Sequence, residues 1–314
     1  MPKLCPACQR PNGDQAPKCL YCSEPLPTEP APEAVALSSN GPAPISLARP
    51  QEEELAGEQR YLMILVPSGE RSSEQASAFV EATGVSLYDA NLLLAAMRPR
   101  LFRRLEGETQ ARELSYFLSS AGIAHYVVAE KEVRDMPVSR AKRGEVHARH
   151  LELSVDGADM ALPYSELLLL VRGEITRERY HQKRWGTRKK VSRPLSPGLR
   201  LHLYTRHASV AVEVDADTFD WALLGTKQTP SAFLNLERFL GLLGEQATHV
   251  ELDTGFGLEP VVLSRAELDT DLDDKLAESD RGGDGVLHDN ETSFRFYARW
   301  RYRLARHLLR ASGT

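Results

Sequence analysis

Tyr61-Leu-Met-Ile-Leu-Val66, stopped by Pro67-Ser68-Gly69, reads as a short buried strand closed by turn-forming residues. The residues after it follow a different period. Ser72 and Ser73 are hydroxyl caps for a helix carrying Ala76, Phe79 and Val80, and Gly84 stands where a helix ends in a left-handed residue. Ser86 opens a second helix with Leu87, Ala90, Leu93, Leu94 and Met97 on one face, and Pro99 ends it. Leu101 to Leu105 is a short strand. Thr109 to Gly122 is a third helix with Leu114, Phe117 and Leu118 inward, and Ile123 to Ala129 is the last strand. The order β-α-α-β-α-β makes residues 60–130 one small α/β unit.

This stretch resembles the C-terminal domain of the bacterial ribosomal stalk protein. The resemblance rests on Thr83-Gly84-Val85-Ser86-Leu87-Tyr88-Asp89-Ala90, on Pro99, and on Leu118-Ser-Ser-Ala-Gly122 leading into the final strand. In that family the second helix presents lysines that recruit translation factors. Here the matching helix reads Tyr88-Asp89-Ala90-Asn91-Leu92, without lysine. The resemblance therefore implies the fold and not factor recruitment.

Residues 131–146, of mixed charge with Pro137 and Gly144, read as a connector, and from 147 to 265 the pattern turns to strands. His150 to Val155 and Ala158 to Leu162 alternate around Asp156-Gly157, a hairpin signal. Leu167 to Ile175, Leu199 to Thr205 and Ser209 to Val214 are further strands, followed by a helix at Ser231 to Leu243 bearing Phe233, Leu236, Phe239 and Leu240. Consecutive strands and a covering helix resemble a pleckstrin-homology-like barrel, and Pro163-Tyr-Ser-Glu-Leu167 opening a long strand is similar to its bacterial members. Residues 266–290 form an acidic loop, and 291–311 an amphipathic helix with Phe294, Tyr297, Ala298, Leu304, Ala305, Leu308 and Leu309.

All four cysteines lie at the other end: Cys5-Pro-Ala-Cys8, then Cys19-Leu-Tyr-Cys22. Two Cys-x-x-Cys pairs this close present four thiolates to one tetrahedral Zn²⁺. Residues 1–26 hold too few apolar groups for a core, so bound metal supplies the folding energy. The segment resembles the short zinc ribbons at the N-termini of bacterial regulatory and adaptor proteins. Paired disulfides would need an oxidising compartment, and Met1-Pro2-Lys3 runs into the first pair with no apolar leader. A redox dithiol normally opens a helix after a strand, which Pro6 and Gly13 argue against. Residues 27–59, rich in Pro, Ala, Ser and Glu, are expected as a disordered linker.

The fold class expected is multidomain α+β: a zinc ribbon, a small β-α-α-β-α-β domain, then an antiparallel β-rich domain with C-terminal helices. No apolar run approaches the roughly 20 residues of a membrane helix, and a cytoplasmic location is expected.

Net charge is −5, but Arg172 to Arg200 carries ten Lys/Arg against two Glu. Within it, Arg177-Glu-Arg-Tyr-His-Gln-Lys-Arg-Trp-Gly-Thr-Arg-Lys-Lys190 interleaves aromatics with cations, as phosphate contact and base stacking require. Lys183, Arg184, Arg188, Lys189 and Lys190 are the candidate anion-binding residues, for nucleic acid or anionic lipid. A solvated hairpin is the plainer reading of the same run, and pairing with the chain's own acidic stretch is another.

Asp269 to Asp280 places oxygens at alternate positions like a Ca²⁺ loop, but has Asp274 where the sharp turn needs glycine; an acidic surface loop suits it better. His147 with His150, and His202 with His207, are the close histidine pairs, and neither stands in ligand spacing with a cysteine or carboxylate. Catalytic motifs are absent, so no catalytic residue is named. The expectation is a non-catalytic cytoplasmic adaptor or regulator with structural zinc, acting by protein–protein contact. The alternative is a zinc-ribbon protein associated with nucleic acid or the ribosome through residues 177–193.

Overall fold

A computed structural model describes residues 3–4, 11–12, 59–69, 72–181, 191–194, 197–207, 210–258 and 285–312. The chain divides into two units, Met1–Glu53 and Glu54–Thr314. In the first, strands β1 (Lys3–Leu4) and β2 (Pro11–Asn12) pair antiparallel, Lys3 opposite Asn12. They bracket Cys5 and Cys8 in sequence; all four cysteines lie outside the described residues.

The second unit opens with β3 (Arg60–Leu65), α1 (Ser73–Thr83), α2 (Leu87–Leu94), β4 (Arg100–Glu106), α3 (Glu108–Ser120) and β5 (His125–Ala129). This is the expected β-α-α-β-α-β order, with β3 central in an antiparallel sheet β4-β3-β5. Ser72 accepts from the Gln75 N–H while Gln75 returns a bond to the Ser72 N–H, so α1 starts on a capping box. Gly84 ends it at φ 72°.

Residues 131–146, expected as a connector, instead hold a short helix α4 (Glu130–Arg134) and a full strand, β6 (Val138–Val146). Mixed charge masked the strand, because only one face of β6 is buried at Ala141. Then come β7 (His150–Val155) and β8 (Ala158–Pro163), turned through Asp156 and Gly157, both at positive φ. They are followed by β9 (Leu167–Ile175), β10 (Arg177–His181), β11 (Val191–Pro194), β12 (Gly198–Thr205) and β13 (Ala211–Asp215). Helix α5 (Ala232–Gln246), β14 (Glu251–Asp253), β15 (Gly285–Asp289) and α6 (Glu291–Ala311) complete the chain.

Seven strands form one sheet in the order β14-β9-β12-β13-β6-β7-β8. It is not wholly antiparallel as expected: β13 with β6, and β14 with β9, pair in parallel. Alternation in sequence reports which face a residue buries and says nothing about which strand lies beside it. The acidic segment also departs from expectation at its end, where 285–289 is a strand, β15, paired with β10 in the sheet β11-β10-β15. The architecture is α+β, with a β-rich sheet followed by helices at the C-terminal end.

Three apolar clusters show how the layers stack. Met63 and Leu65 point from β3 into a core with Phe79, Leu93, Leu114 and Leu118 of α1, α2 and α3. Leu62 and Ile64, one residue out of phase, point the other way, into a core with Phe294, Tyr297, Trp300 and Leu304 of α6. That same core takes Leu169 and Val171 of β9 from the large sheet. The opposite face of the large sheet, with Leu170, Leu201, Leu203, Val212 and Val214, packs on Trp221, Leu236, Phe239 and Leu243. Helix α6 is therefore a middle layer between two sheets, each covered by helices on its far side. The small α/β unit and the β-rich region share this core across residue 130.

Gly173 permits the closest approach. A Cβ there would collide with the ring of Phe294, so β9 passes α6 only because this position has none.

Candidate functional site

Helices α1, α2 and α3 bury narrow stripes: Ala76 and Phe79 from α1, Ala90 and Leu93 from α2, and Ala111, Leu114 and Leu118 from α3. Large apolar side chains remain outside these stripes. Leu87 is 55% exposed, Tyr88 72% and Met97 87% on or just after α2, while Tyr116 is 71% and Phe117 55% exposed on α3. Phe117, expected as core, is a surface residue beside Tyr116, their ring centroids 6.1 Å apart. Leu87 and Met97 were also expected inward. The periodicity of α2 and α3 is right, but each helix meets the sheet over a narrower arc than its apolar residues occupy.

The face of the large sheet toward α6 carries buried polar groups beside its apolar ones. Arg200, His202 and Tyr204 alternate along β12 with Leu199, Leu201 and Leu203, and Glu213 and Asp215 answer them from β13. His202 lies directly opposite Glu213. Its Nε2 is 3.1 Å from the Glu213 carboxylate and its Nδ1 3.1 Å from the Tyr204 hydroxyl. Glu213 also accepts from Arg295 of α6, at 3.1 and 3.2 Å, and from Arg140 of β6 at 2.9 Å. Arg200 pairs with Asp215 at 2.5 Å, and its other nitrogen lies 3.5 Å from Glu291.

Burial lowers the His202 pKa below its ordinary 6.5, against the opposing pull of Glu213. Burial would raise Glu213, but hydrogen bonds from His202 and Arg295, with the Arg295 charge, outweigh it and hold the carboxyl well below the usual range. A neutral imidazole donating Nε2–H to an ionised Glu213, and accepting the Tyr204 O–H at Nδ1, satisfies every group in the chain. His202 and Glu213 are both fully enclosed, and their network joins α6 to the sheet. A second knot fixes the other edge: Asp253 accepts from the Tyr297 hydroxyl at 3.0 Å and pairs with Arg301, which also holds Glu251 at 2.7 Å. His207, the histidine paired with His202 in sequence, is exposed and lies 3.4 Å from Glu166.

Of the candidate anion-binding residues, Lys183, Arg184, Arg188, Lys189 and Lys190 lie outside the described residues, as do Asp269 to Asp280. The strands on either side of the basic residues pair with each other, His181 opposite Val191. Among the described residues, no helix is long and apolar enough to cross a membrane. No family model, curated protein or solved structure matches the chain.

Proposed function

We propose that this chain is a non-catalytic adaptor or regulator that works by protein–protein contact, its N-terminal unit closed by a structural Zn²⁺ on Cys5, Cys8, Cys19 and Cys22. The observation that carries the reading is the set of large apolar side chains that α2 and α3 leave in solvent: Leu87, Tyr88, Met97, Tyr116 and Phe117. Scattered single apolar residues are ordinary on a protein surface; five on or just after two helices of one small unit suit a protein partner, since Tyr, Phe and Met are enriched in interfaces.

The N-terminal reading draws on the donor set. Four thiolates fill a tetrahedral site and leave no position for a substrate. The β1–β2 pairing brings the chain on either side of Cys5 and Cys8 together, as a metal knuckle needs. Reduced thiolates suit a reducing compartment, the cytoplasm.

The test is affinity capture with the full-length chain, with a chain lacking residues 1–26, and with a full-length Tyr88→Glu/Met97→Glu variant. The expected result is one protein held by the full chain in high salt and lost with the double variant, which then binds directly when purified. Capture of nucleic acid or anionic vesicles instead, abolished by salt and by Lys189→Glu/Lys190→Glu, would overturn the proposal in favour of an anionic ligand.

A further inference from the structure

The hairpin joining β6 to β7 brings two histidines and two glutamates together. Glu145 faces Glu152 across the hairpin, Val146 faces Leu151, and the His147 N–H donates to the His150 carbonyl at 3.0 Å. Residues two apart share a face of a strand. Glu145 and His147 on one arm therefore lie on the same side as His150 and Glu152 on the other. The two imidazoles stack, with centroids 4.5 Å apart and planes within 17°.

The donor atoms converge at this end of the hairpin. One ligand atom from each of His147, His150 and Glu152 lies within 4.8 Å of the other two. The Glu152 carboxylate is 3.7 Å from His147 Nε2 and 3.9 Å from His150 Nε2, and the Glu145 carboxylate is 3.9 Å from His147 Nε2. These separations are too long for hydrogen bonds. They are close to the roughly 3.4 Å between neighbouring donors on a tetrahedral ion with bonds of about 2.1 Å. His147 Nε2 makes no hydrogen bond of its own. Beside it, Glu145, Glu152, Asp159 and Asp220 line a cleft of about 500 Å³ with Arg143 and Ser154. Four carboxylates against one cation make that cleft attractive to positive charge.

We infer that His147, His150 and Glu152 form a binding site for a divalent transition metal, with Glu145 as the outer fourth donor and the acidic cleft as its approach. Imidazole and carboxylate together select Zn²⁺, Ni²⁺ or Cu²⁺ over Mg²⁺ and Ca²⁺, which take oxygen donors. The site is distinct in chemistry from the four thiolates and does not depend on the adaptor reading. It is part-exposed, so its metal exchanges while a thiolate-bound zinc is retained.

The probe is Ni²⁺, titrated calorimetrically into purified full-length protein as isolated. The expected result is one equivalent of Ni²⁺ per chain in the unaltered protein and in Cys8→Ser. Affinity should fall by at least about tenfold in Glu152→Gln and uptake should vanish in His147→Ala/His150→Ala. The metal-free melting temperature of each variant should match that of the parent, which separates ligand loss from unfolding. No uptake by the unaltered protein, uptake lost only in Cys8→Ser, or an affinity within twofold in Glu152→Gln would each overturn the inference.

Discussion

Glu213 has no exposed surface, yet it is met by His202, Arg140 and Arg295 from three different elements. Taking a carboxylate out of water is costly, and only this full set of donors offsets the cost. Glu213→Gln keeps the shape, removes the charge, and leaves Arg140 and Arg295 facing a neutral amide. The variant should lose about 3–5 kcal/mol, read from urea unfolding. Acid acts on the same knot. His202 is depressed below its ordinary 6.5, so the unfolded chain takes up that proton first; its stabilisation is complete above about pH 6.5 and is lost as pH falls below it. Glu213, also depressed, adds a second loss below its ordinary 4.5. The melting temperature should therefore fall as pH drops below about 6.5, and His202→Gln should flatten that drop. An equal slope in His202→Gln would show that other groups carry the acid response. The alternation of Leu199, Leu201 and Leu203 with Arg200, His202 and Tyr204 was legible in the sequence. That the polar side is buried was not, because the element covering it begins at Glu291, far along the chain.

Helix α6 is that element. Its apolar residues Phe294, Tyr297, Ala298, Leu304 and Ala305 could be read as one face of an amphipathic helix, and its bounds match expectation. The misleading part was its arginines. Arg301 is buried between Trp300 and Asp253, and Arg295 is spent on Glu213 and Glu291. A helix whose cations meet carboxylates on a neighbouring sheet can be enclosed on several sides while its sequence still looks half-solvated. Phe294 touches both Gly173 and the His202 ring, the latter at 4.8 Å between centroids. Phe294→Ala should cost about 3–5 kcal/mol. Because α6 lies between the two sheets, circular dichroism and tryptophan fluorescence should shift together to a lower melting temperature. Separate transitions for the small α/β unit and the β-rich region would contradict a shared core. The misplacement of Phe117 has the opposite origin: Ala111, Leu114 and Leu118 already fill the stripe that α3 presents, leaving no room inward for another large ring.

In the second unit, the β4-β3-β5 sheet and the seven-stranded sheet each have helices on the outer side and α6 between them, so β3 and β9 are apolar on both faces while β6 to β8 are not. Those doubly buried strands were the easiest parts of the sequence to read, and the order of strands in the large sheet was the hardest, since parallel neighbours come from distant segments. The residues on which the proposals rest follow the same division. The Cys-x-x-Cys spacing is local and visible in the sequence, whereas the exposed rings on α2 and α3 emerge only once the sheet has claimed its share of each helix. The His147–His150–Glu152 cluster was half-legible: the histidine pair stood in the sequence, but Glu152 joins it through the hairpin's alternation. The adaptor reading stands or falls on where a partner touches this unit. Hydrogen exchange of the full-length protein, with and without the purified captured partner, measures this directly. Slowed exchange over residues 86–97 and 113–120, with residues 177–194 unchanged, is expected of a chain that docks through α2 and α3. Protection confined to 177–194, or none on α2 and α3 at saturating partner, would contradict it.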